Sequence, residues 1–290
     1  MRTQLHLAAC CCLLAGCVAG CRLLIDDEAV VQGRSPLQAA RPSPDSVTME
    51  IIWARFPAGD PAINLEAWRE IDETQLSPSV QSELANNGLR AGIIGTRLPE
   101  PIARALHHGE STPEPLAPDA ETETVQLAAE PIVHGRVQRL RRNQRSEIQA
   151  SEVYASLPLI LRDGRELSGK TYQQAQAIYA LRVDPQSDRT VRVELMPEIH
   201  HGSARVRWTG GEDGILRQAP LRERELFDQL RLTARLAPGE MLILMSLPDA
   251  GSRLGHYFHA VDSADGPQQK LILIRLAEVP PSDTFAFAGK

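Results

Sequence analysis

The sequence predicts an α+β protein in which a small N-terminal α/β module precedes a mainly antiparallel, sandwich-like β-domain. Two observations carry this prediction. Between residues 47 and 109, apolar residues at helical spacing alternate with short apolar strands, and helix-capping residues separate them. After Val133 the apolar pattern changes to a period of two, and turn residues recur at short intervals, which is typical of antiparallel sheet.

The N-terminal module is predicted to have the order β-α-α-β-α. Ser77 and Pro78 are typical of a helix start, because a serine side chain caps the first turn and proline needs no hydrogen-bond partner there. Gly88 is typical of a helix end. The predicted elements are a strand over Val47–Phe56, a helix after Asn64, a helix between Ser77 and Gly88, a strand over Leu89–Ile94 and a helix over Pro101–His108.

The β-domain is predicted to span residues 132–281 and to contain about eight to ten strands. In Val191–Leu195 and Leu230–Leu236, apolar side chains alternate with polar ones, so that one face of each strand points to the core. Met241–Met245 and Leu271–Ile274 are apolar throughout. These two runs are therefore predicted to be central strands that are covered on both faces.

Three segments lack a core-forming pattern. Residues 17–46 contain an acidic run and several proline steps and are predicted to be a flexible tether. Residues 110–131 are rich in proline and acidic residues and are predicted to link the module to the β-domain. Residues 282–290 are predicted to form a C-terminal tail.

Residues 1–16 have the organisation of a secretory signal peptide, with Arg2 before a short apolar run and small residues after it. The run is about half the length of the roughly 20 apolar residues that cross a bilayer. Leu14-Ala15-Gly16-Cys17 resembles the lipobox of type II signal peptides, which implies that Cys17 becomes the first mature residue and carries the lipid. Val18-Ala19-Gly20-Cys21 resembles it too, so Cys21 is the alternative.

Cysteine usage indicates the compartment of the protein, and net charge indicates which class of partner is disfavoured. All five cysteines lie within the first 21 residues, as expected of a mature chain that avoids stray thiols in an oxidising compartment. The formal net charge of −6 disfavours a nucleic-acid partner. Neither Cys17 nor Cys21 precedes Asp, so the lipoprotein resemblance implies a periplasm-facing outer membrane anchor in a cell with two membranes.

One motif matches a nucleotide-binding pattern. Residues 164–171 fit the P-loop consensus G-x-x-x-x-G-K-[ST], in which backbone N–H groups surround phosphate. The matching positions are Gly164, Gly169, Lys170 and Thr171. A P-loop must open a helix, whereas Asp163-Gly164 is typical of a hairpin turn and the alternation continues after it, although that segment could also be drawn as a helix. The sequence therefore favours a chance match, and no cofactor is predicted.

Two groups of side chains are candidates for binding. Imidazole and carboxylate are zinc ligands, and the residues of that kind at turns are Glu198, His200, His256 and His259. Ordinary turn and surface histidines are the favoured interpretation. A basic run could bind an anionic surface, although a solvated charge run is favoured; it consists of Arg136, Arg139, Arg141, Arg142 and Arg145.

The C-terminal third resembles the core β-domain of bacterial secretins, which form outer-membrane rings. The resemblance rests on a strand followed by Pro197-Glu198-Ile199, on Pro238-Gly239-Glu240 before an apolar strand, and on Leu254-Gly255-His256-Tyr257-Phe258 before the final apolar strand. Met245-Ser246-Leu247 replaces the Gly-Gly-Leu of secretins. The resemblance implies a related β-fold. It does not extend to pore formation.

The sequence thus favours a non-enzymatic envelope lipoprotein with a binding or scaffolding role. Its expected partners are membrane lipid, through the acylated cysteine, and an envelope protein or a second copy of the chain. The alternatives are a secretin-like subunit of an outer-membrane assembly and, from a third class, a P-loop or metal-dependent enzyme.

Overall fold

The computed structural model describes residues 46–109, 133–210, 216–264 and 266–279. The predicted signal peptide, tether (Ser46 excepted), linker and C-terminal tail lie outside these residues, as do Cys17 and Cys21. The described residues form mainly antiparallel sheets with few helices, which confirms the predicted α+β class. No helix among them has the length and apolar character needed to cross a membrane.

The described parts of the chain contain eleven strands and three α-helices. In chain order these are β1 (Ser46–Pro57), α1 (Pro78–Asn86), β2 (Leu89–Ile94), α2 (Glu100–Gly109), β3 (Val133–Arg141), β4 (Ser146–Asp163), β5 (Glu166–Pro185), β6 (Val191–Gly210), β7 (Leu216–Leu226), β8 (Leu232–Leu236), β9 (Met241–Ser246), α3 (Leu254–His259), β10 (Ala260–Ser263) and β11 (Gly266–Glu278).

Local sequence determines the two ends of α1. The Ser77 hydroxyl accepts a hydrogen bond from the Val80 N–H at 3.4 Å, and Pro78 occupies the first turn. At the other end Gly88 has φ +75°, a conformation that glycine adopts without a steric penalty. The predicted start and end of this helix are therefore confirmed.

The helix predicted after Asn64 is instead a single π-helical turn, Ala62–Glu66, followed by a 3-10 turn, Ala67–Arg69. Asn64 is not its N-cap. The turn begins earlier, where the Asp60 carboxylate accepts a hydrogen bond from the Ala62 N–H at 2.9 Å, and the Asn64 side chain donates to the Asp60 carbonyl. The turn therefore starts after Pro61, which supplies no capping side chain, and Asn64 lies within it.

The first sheet has the strand order β2-β9-β11-β1-β3, with β10 beside β11, and all of its pairs are antiparallel. It contains strands from both predicted domains, and the described residues form one compact unit. This differs from the predicted division into a module and a separate β-domain. Hydrophobic alternation shows which face of a strand is buried but not which strand lies beside it, so the shared sheet was not visible in the sequence.

The second sheet is a meander of long strands in the order β4-β5-β6-β7, with β8 also beside β6. Its inner face packs on the inner face of the first sheet. Ile51, Trp53 and Ile272 from the first sheet share one buried apolar cluster with Tyr179 and Leu195 from the second. The described residues therefore form a sandwich, as the sequence predicts.

The outer face of the first sheet is covered by the short turns after β1 and by α2. Phe56, Trp68 and Ile102 form a second apolar cluster there with Ile243 and Leu273. Consequently β9 and β11 are buried on both faces, which confirms the prediction made from their unbroken apolar runs.

The outer edge of β4 is closed by the rest of the chain. The Ile160 N–H donates to the Ser252 carbonyl at 2.9 Å, and the Asn87 side chain bonds both the N–H and the carbonyl of Arg162. The Tyr257 hydroxyl donates to the Pro158 carbonyl. These contacts satisfy backbone groups that an edge strand would otherwise expose.

Replacement of Gly255 tests the packing of α3 on the end of α1. A Cβ at position 255 would lie 1.8 Å from the Gly88 carbonyl oxygen. Because that neighbour is backbone, we expect Gly255→Ala to lower the free energy of unfolding by at least about 3 kcal/mol in a urea titration.

Gly169→Ala is the matched control, because a Cβ there would meet nothing within 4 Å. Its unfolding free energy should stay within about 0.5 kcal/mol of the parent value. A Gly255→Ala protein as stable as the control would contradict the described contact between α3 and α1.

Candidate functional site

A cleft of about 640 Å³ opens between the two sheets. Its floor is the inner face of the first sheet where β1, β3 and β11 run side by side. β10, which pairs with β11, and β4 of the second sheet complete its lining. The volume is in the range of pockets that hold small ligands. The lining residues used below are Trp53, Arg55, His134, Arg136, Glu152, Tyr154, Asp262 and Lys270.

Antiparallel register brings cations from three strands into this cleft. Arg55 on β1 lies directly opposite Lys270 on β11, and Ile51 lies opposite Arg136 on β3. Residues in direct register point to the same face of a sheet. Because Ile51 and Trp53 face the core between the sheets, Arg55, Lys270 and Arg136 also point to that side.

The pair of Arg55 and Lys270 makes the floor of the cleft favourable for negative charge. Like charges that face each other on neighbouring antiparallel strands repel. An anionic group placed between them offsets that repulsion. Both side chains are only partly exposed, so the attraction for an anion is less screened than on an open surface.

Two hydrogen bonds attach this floor to the edge of the second sheet. The Trp53 indole N–H donates to the Gln149 carbonyl at 3.0 Å, and the Lys270 ammonium donates to the Ala150 carbonyl. The His134 ring stacks on Trp53 with centroids 4.4 Å apart and an interplanar angle of 1°. The floor is therefore held in place by groups of both sheets.

Two carboxylates of the lining, Glu152 and Asp262, act on Tyr154. Burial raises the pKa of Tyr154 to about 12, and the charges of Asp262 and Glu152 act in the same direction. The phenol is thus neutral at physiological pH and donates its hydrogen bond to the Tyr257 carbonyl at 3.0 Å. The lining of the cleft thus contains both cations and carboxylates.

A buried pair, Tyr179 and His259, contacts the floor at the Lys270 backbone. His259 Nδ1 is 2.8 Å from the Lys270 carbonyl oxygen, and Nε2 is 2.8 Å from the Tyr179 hydroxyl. A carbonyl oxygen only accepts, so Nδ1 carries the proton and Tyr179 donates to Nε2. Burial, with the charge of Lys270, lowers the pKa of His259 to about 3, and burial raises that of Tyr179.

The four predicted metal-binding candidates do not converge. Glu198 and His200 are 2.9 Å apart on β6, His259 is engaged by Tyr179 and Lys270, and His256 lines the cleft. Within the described residues no group of three or more His, Cys, Asp or Glu side chains could hold a metal ion.

Glu198 instead belongs to a buried charge network. Its Oε2 accepts hydrogen bonds from Arg145 at 2.6 Å and from His200 at 2.9 Å. Burial favours the neutral acid, but these two hydrogen bonds and the charge of Arg145 outweigh it and lower the pKa of Glu198. The network joins the turn before β4 to β6.

The P-loop match lies in a β-hairpin. Gly164, with φ +57°, forms the turn between β4 and β5, while Gly169, Lys170 and Thr171 are within β5 and no helix follows. The Lys170 ammonium pairs with Glu225 and lies 4.6 Å from the centre of the Tyr172 ring. This arrangement lacks the helix N-terminus that a P-loop needs, so the match is one of letters only.

The basic run is divided among three environments. Arg136 enters the cleft, whereas Arg139 and Arg141 lie on the other face of β3 because they differ from it by an odd number of positions. Arg142 pairs with Asp184 and Arg145 with Glu198. The five arginines therefore do not form one anion-binding surface.

Most residues of the cleft had no place among the sequence-based candidates. Arg136 and His256 did, whereas Arg55, Lys270, Glu152, Tyr154 and Asp262 did not. A signal was present at one of them, since Arg55 continues the inward-facing series of Ile51 and Trp53. A cation at the end of a buried face is a sign of a site at the edge of a core.

No family model and no solved structure matches the chain. Over 93 residues it is 36% identical to phosphoribosylformylglycinamidine synthase subunit PurL of Parasynechococcus marenigrum (strain WH8102). This similarity covers 31% of the chain, and the chain spans 12% of the length of PurL.

The buried His259 should make stability depend on pH. Its pKa is about 3 in the folded protein, against an ordinary 6.5. Between these two pH values the unfolded chain binds a proton at His259 and the folded protein does not. Stability is therefore lost as the pH falls from 6.5 towards 3, by about 1.4 kcal/mol per pH unit. Because of this residue, the unfolding free energies from urea titrations at pH 7 and pH 4.5 should differ by roughly 2 to 3 kcal/mol.

The His259→Gln variant serves as the comparison, because glutamine does not bind a proton in this pH range. The difference in unfolding free energy between pH 7 and pH 4.5 should be smaller in the variant by the same amount. An unchanged pH dependence would show that His259 is protonated in the folded protein.

Proposed function

We propose that this protein is a non-enzymatic, lipid-anchored binding protein of the cell envelope, and that the cleft between its sheets holds a small ligand that bears a negative charge. The observation that carries the proposal is the convergence of Arg55, Arg136 and Lys270 from three adjacent strands on one cleft of about 640 Å³. Cations at such a position attract an anion before contact and orient it after contact.

Two further observations support a binding role over catalysis. Ser151 is the serine of the cleft lining and would be the candidate nucleophile. Its hydroxyl donates a hydrogen bond to the Glu152 carbonyl and accepts one from the Ala177 N–H. It is thus occupied by backbone rather than by a general base. Tyr154 is a neutral phenol whose hydroxyl is bonded to the Tyr257 carbonyl.

The lipid anchor rests on the sequence of residues 14–21, in which a small residue precedes each of Cys17 and Cys21. Two or more acyl chains give stable attachment to a bilayer. The ligand would then be met at the membrane surface or in the space beside it. The similarity to PurL covers too little of either chain to support a related activity.

The alternative of a secretin-like ring subunit has less support. Rings built by strand addition need open edges, and one sheet edge, that of β4, already bonds Ser252, Asn87 and Tyr257 of its own chain. A scaffold that binds a small ligand accounts for both the closed edge and the open cleft.

The ligand site can be tested with 8-anilinonaphthalene-1-sulfonate, an aromatic anion whose fluorescence rises on binding. We expect saturable binding at one site of the native protein. Arg136→Gln should weaken it about fivefold to tenfold, because a cation of the cleft is lost. Arg139→Gln, on the other face of the same strand, should leave the affinity unchanged.

Equal affinities of the two variants would remove the cleft as the site of binding. Circular dichroism of both proteins controls for folding, since this probe also binds partly unfolded chains.

The anchor can be tested by growing cells with an alkyne analogue of palmitate. The expected result is a labelled protein that sediments with membranes. Cys17→Ser should abolish the label and block cleavage of the precursor, whereas Cys21→Ser should keep both the label and the cleavage. Loss of label in Cys21→Ser alone would assign the lipid to Cys21, and an unlabelled parent protein would rule out lipidation.

A further inference from the structure

The outer edge of β3 is an open edge of the first sheet. Within the described residues β3 pairs with β1 on one side and with no strand on the other. Its residues 134–137 are all exposed, and one of them, Gly135, has no side chain to cover the backbone. Backbone N–H and C=O groups along such an edge can pair with a further strand.

The other sheet edges in the described part of the chain are less suited to strand addition. Asp72 covers β2, because it exchanges backbone hydrogen bonds of 2.8 and 2.9 Å with Ile93. Contacts from the rest of the chain close the edge of β4. β7 contains Pro220, which has no N–H to donate. β8 and β10 have only five and four residues, whereas β3 has nine and no proline.

β3 carries positive charge on both of its faces. Arg136 points into the cleft and Arg139 points to the opposite face, because three positions separate them. Neither forms an ion pair with another described residue. A strand that pairs with this edge alternates its own side chains between the same two faces. It can therefore place one acidic side chain beside each arginine.

Charge decides which strand can occupy this edge. The sequence of β3 contains three arginines and no acidic residue. A second copy of β3 would add three more arginines to the same ladder, and like charges on neighbouring strands repel. An acidic strand is attracted on both faces. The arginines therefore act against self-association and favour an acidic partner.

The open edge and the cleft meet at β3. His134 and Arg136 line the cleft, and both belong to the strand whose outer edge is open. In a strand added to that edge, the side chains of the inner face would lie beside these two residues. A carboxylate at that position would supply the negative charge that the cleft attracts.

We propose that the ligand of this protein is a short acidic peptide that adds to β3 as an extended strand. One of its acidic side chains lies in the cleft beside Arg136. Another, three positions along the peptide, lies beside Arg139 on the opposite face. Backbone hydrogen bonds to β3 hold the peptide between these two points. This inference rests on the proposed function and specifies its ligand class.

Titration calorimetry at low salt with three blocked heptapeptides of threonine and valine tests the charge pattern. The first probe has two glutamates three positions apart, which a strand sends to opposite faces. The second has the same composition with the glutamates four positions apart, on one face, and the third has glutamine in their place. We expect the first probe to bind about threefold to fivefold more tightly than the second and about tenfold more tightly than the third.

Methylation of the peptide nitrogens distinguishes strand addition from attraction between charges alone. Alternate N–H groups of a strand point to the same edge. Methylation of one alternate set in the first probe should abolish binding, because those groups donate to β3. Methylation of the other set should change the affinity by less than about twofold.

Two variants separate the two arginines. Arg139→Gln should weaken the first probe about threefold to fivefold and leave the aromatic sulfonate unchanged, because Arg139 lies outside the cleft. Arg136→Gln should weaken both ligands. Arg182 is an exposed arginine of β5 in the second sheet, and Arg182→Gln is the matched control that should alter neither.

The outcomes separate this inference from the proposed function. Equal binding of the first two probes, equal binding of the two methylated forms, or an Arg139→Gln variant without effect would each overturn the peptide ligand. A dimer of the parent protein in light scattering that Arg139→Glu strengthens would assign the edge to a second copy instead. In these cases the proposed function survives if the sulfonate still binds and depends on Arg136. If the sulfonate also fails to bind, the proposed function itself is wrong.

Discussion

The antiparallel register of β1 against its two neighbours is the constraint on which the rest of the structure depends. Because side chains alternate strictly along a strand, the same pairing that buries Ile51 and Trp53 between the sheets also sends Arg55 to that side. A shift of one residue would move both Arg55 and Trp53 to the outer face, where Phe56 and its apolar neighbours pack. Core and cleft are therefore specified together, and neither can change alone.

The cleft exists because the two sheets separate where the first one turns polar. Apolar side chains hold the sheets together up to Trp53, and beyond it the contact is made by hydrogen bonds from Trp53 and Lys270 to backbone carbonyls of β4. Bonds to backbone carbonyls keep a sheet edge at a fixed distance without filling the space beside it. These two hydrogen bonds thus hold the sheets together beside the cleft without closing it.

The sequence predicts the faces of the strands well and their neighbours poorly. Continuous apolar runs such as Met241–Met245 mark strands buried on both sides, and the structure agrees. That β1 should pair with β11, more than 200 residues later, leaves no trace in local periodicity. Likewise the spacing of Arg136 and Arg139 indicates opposite faces, but only the pairing reveals that Arg136 lines the same cleft as Lys270 and Arg55. The cleft is a property of register, which a single sequence does not contain.

The position of β1 has a mechanical consequence. This strand leads from Ser46 into the middle of its sheet, with β11 on one side and β3 on the other. A load applied at Ser46 is shared by two ladders at once, so the strand cannot peel away as a terminal strand at a sheet edge can. Tension on the N-terminal end would act first on these two ladders. The cleft, at the far end of the same strand, would keep its shape until the ladders break.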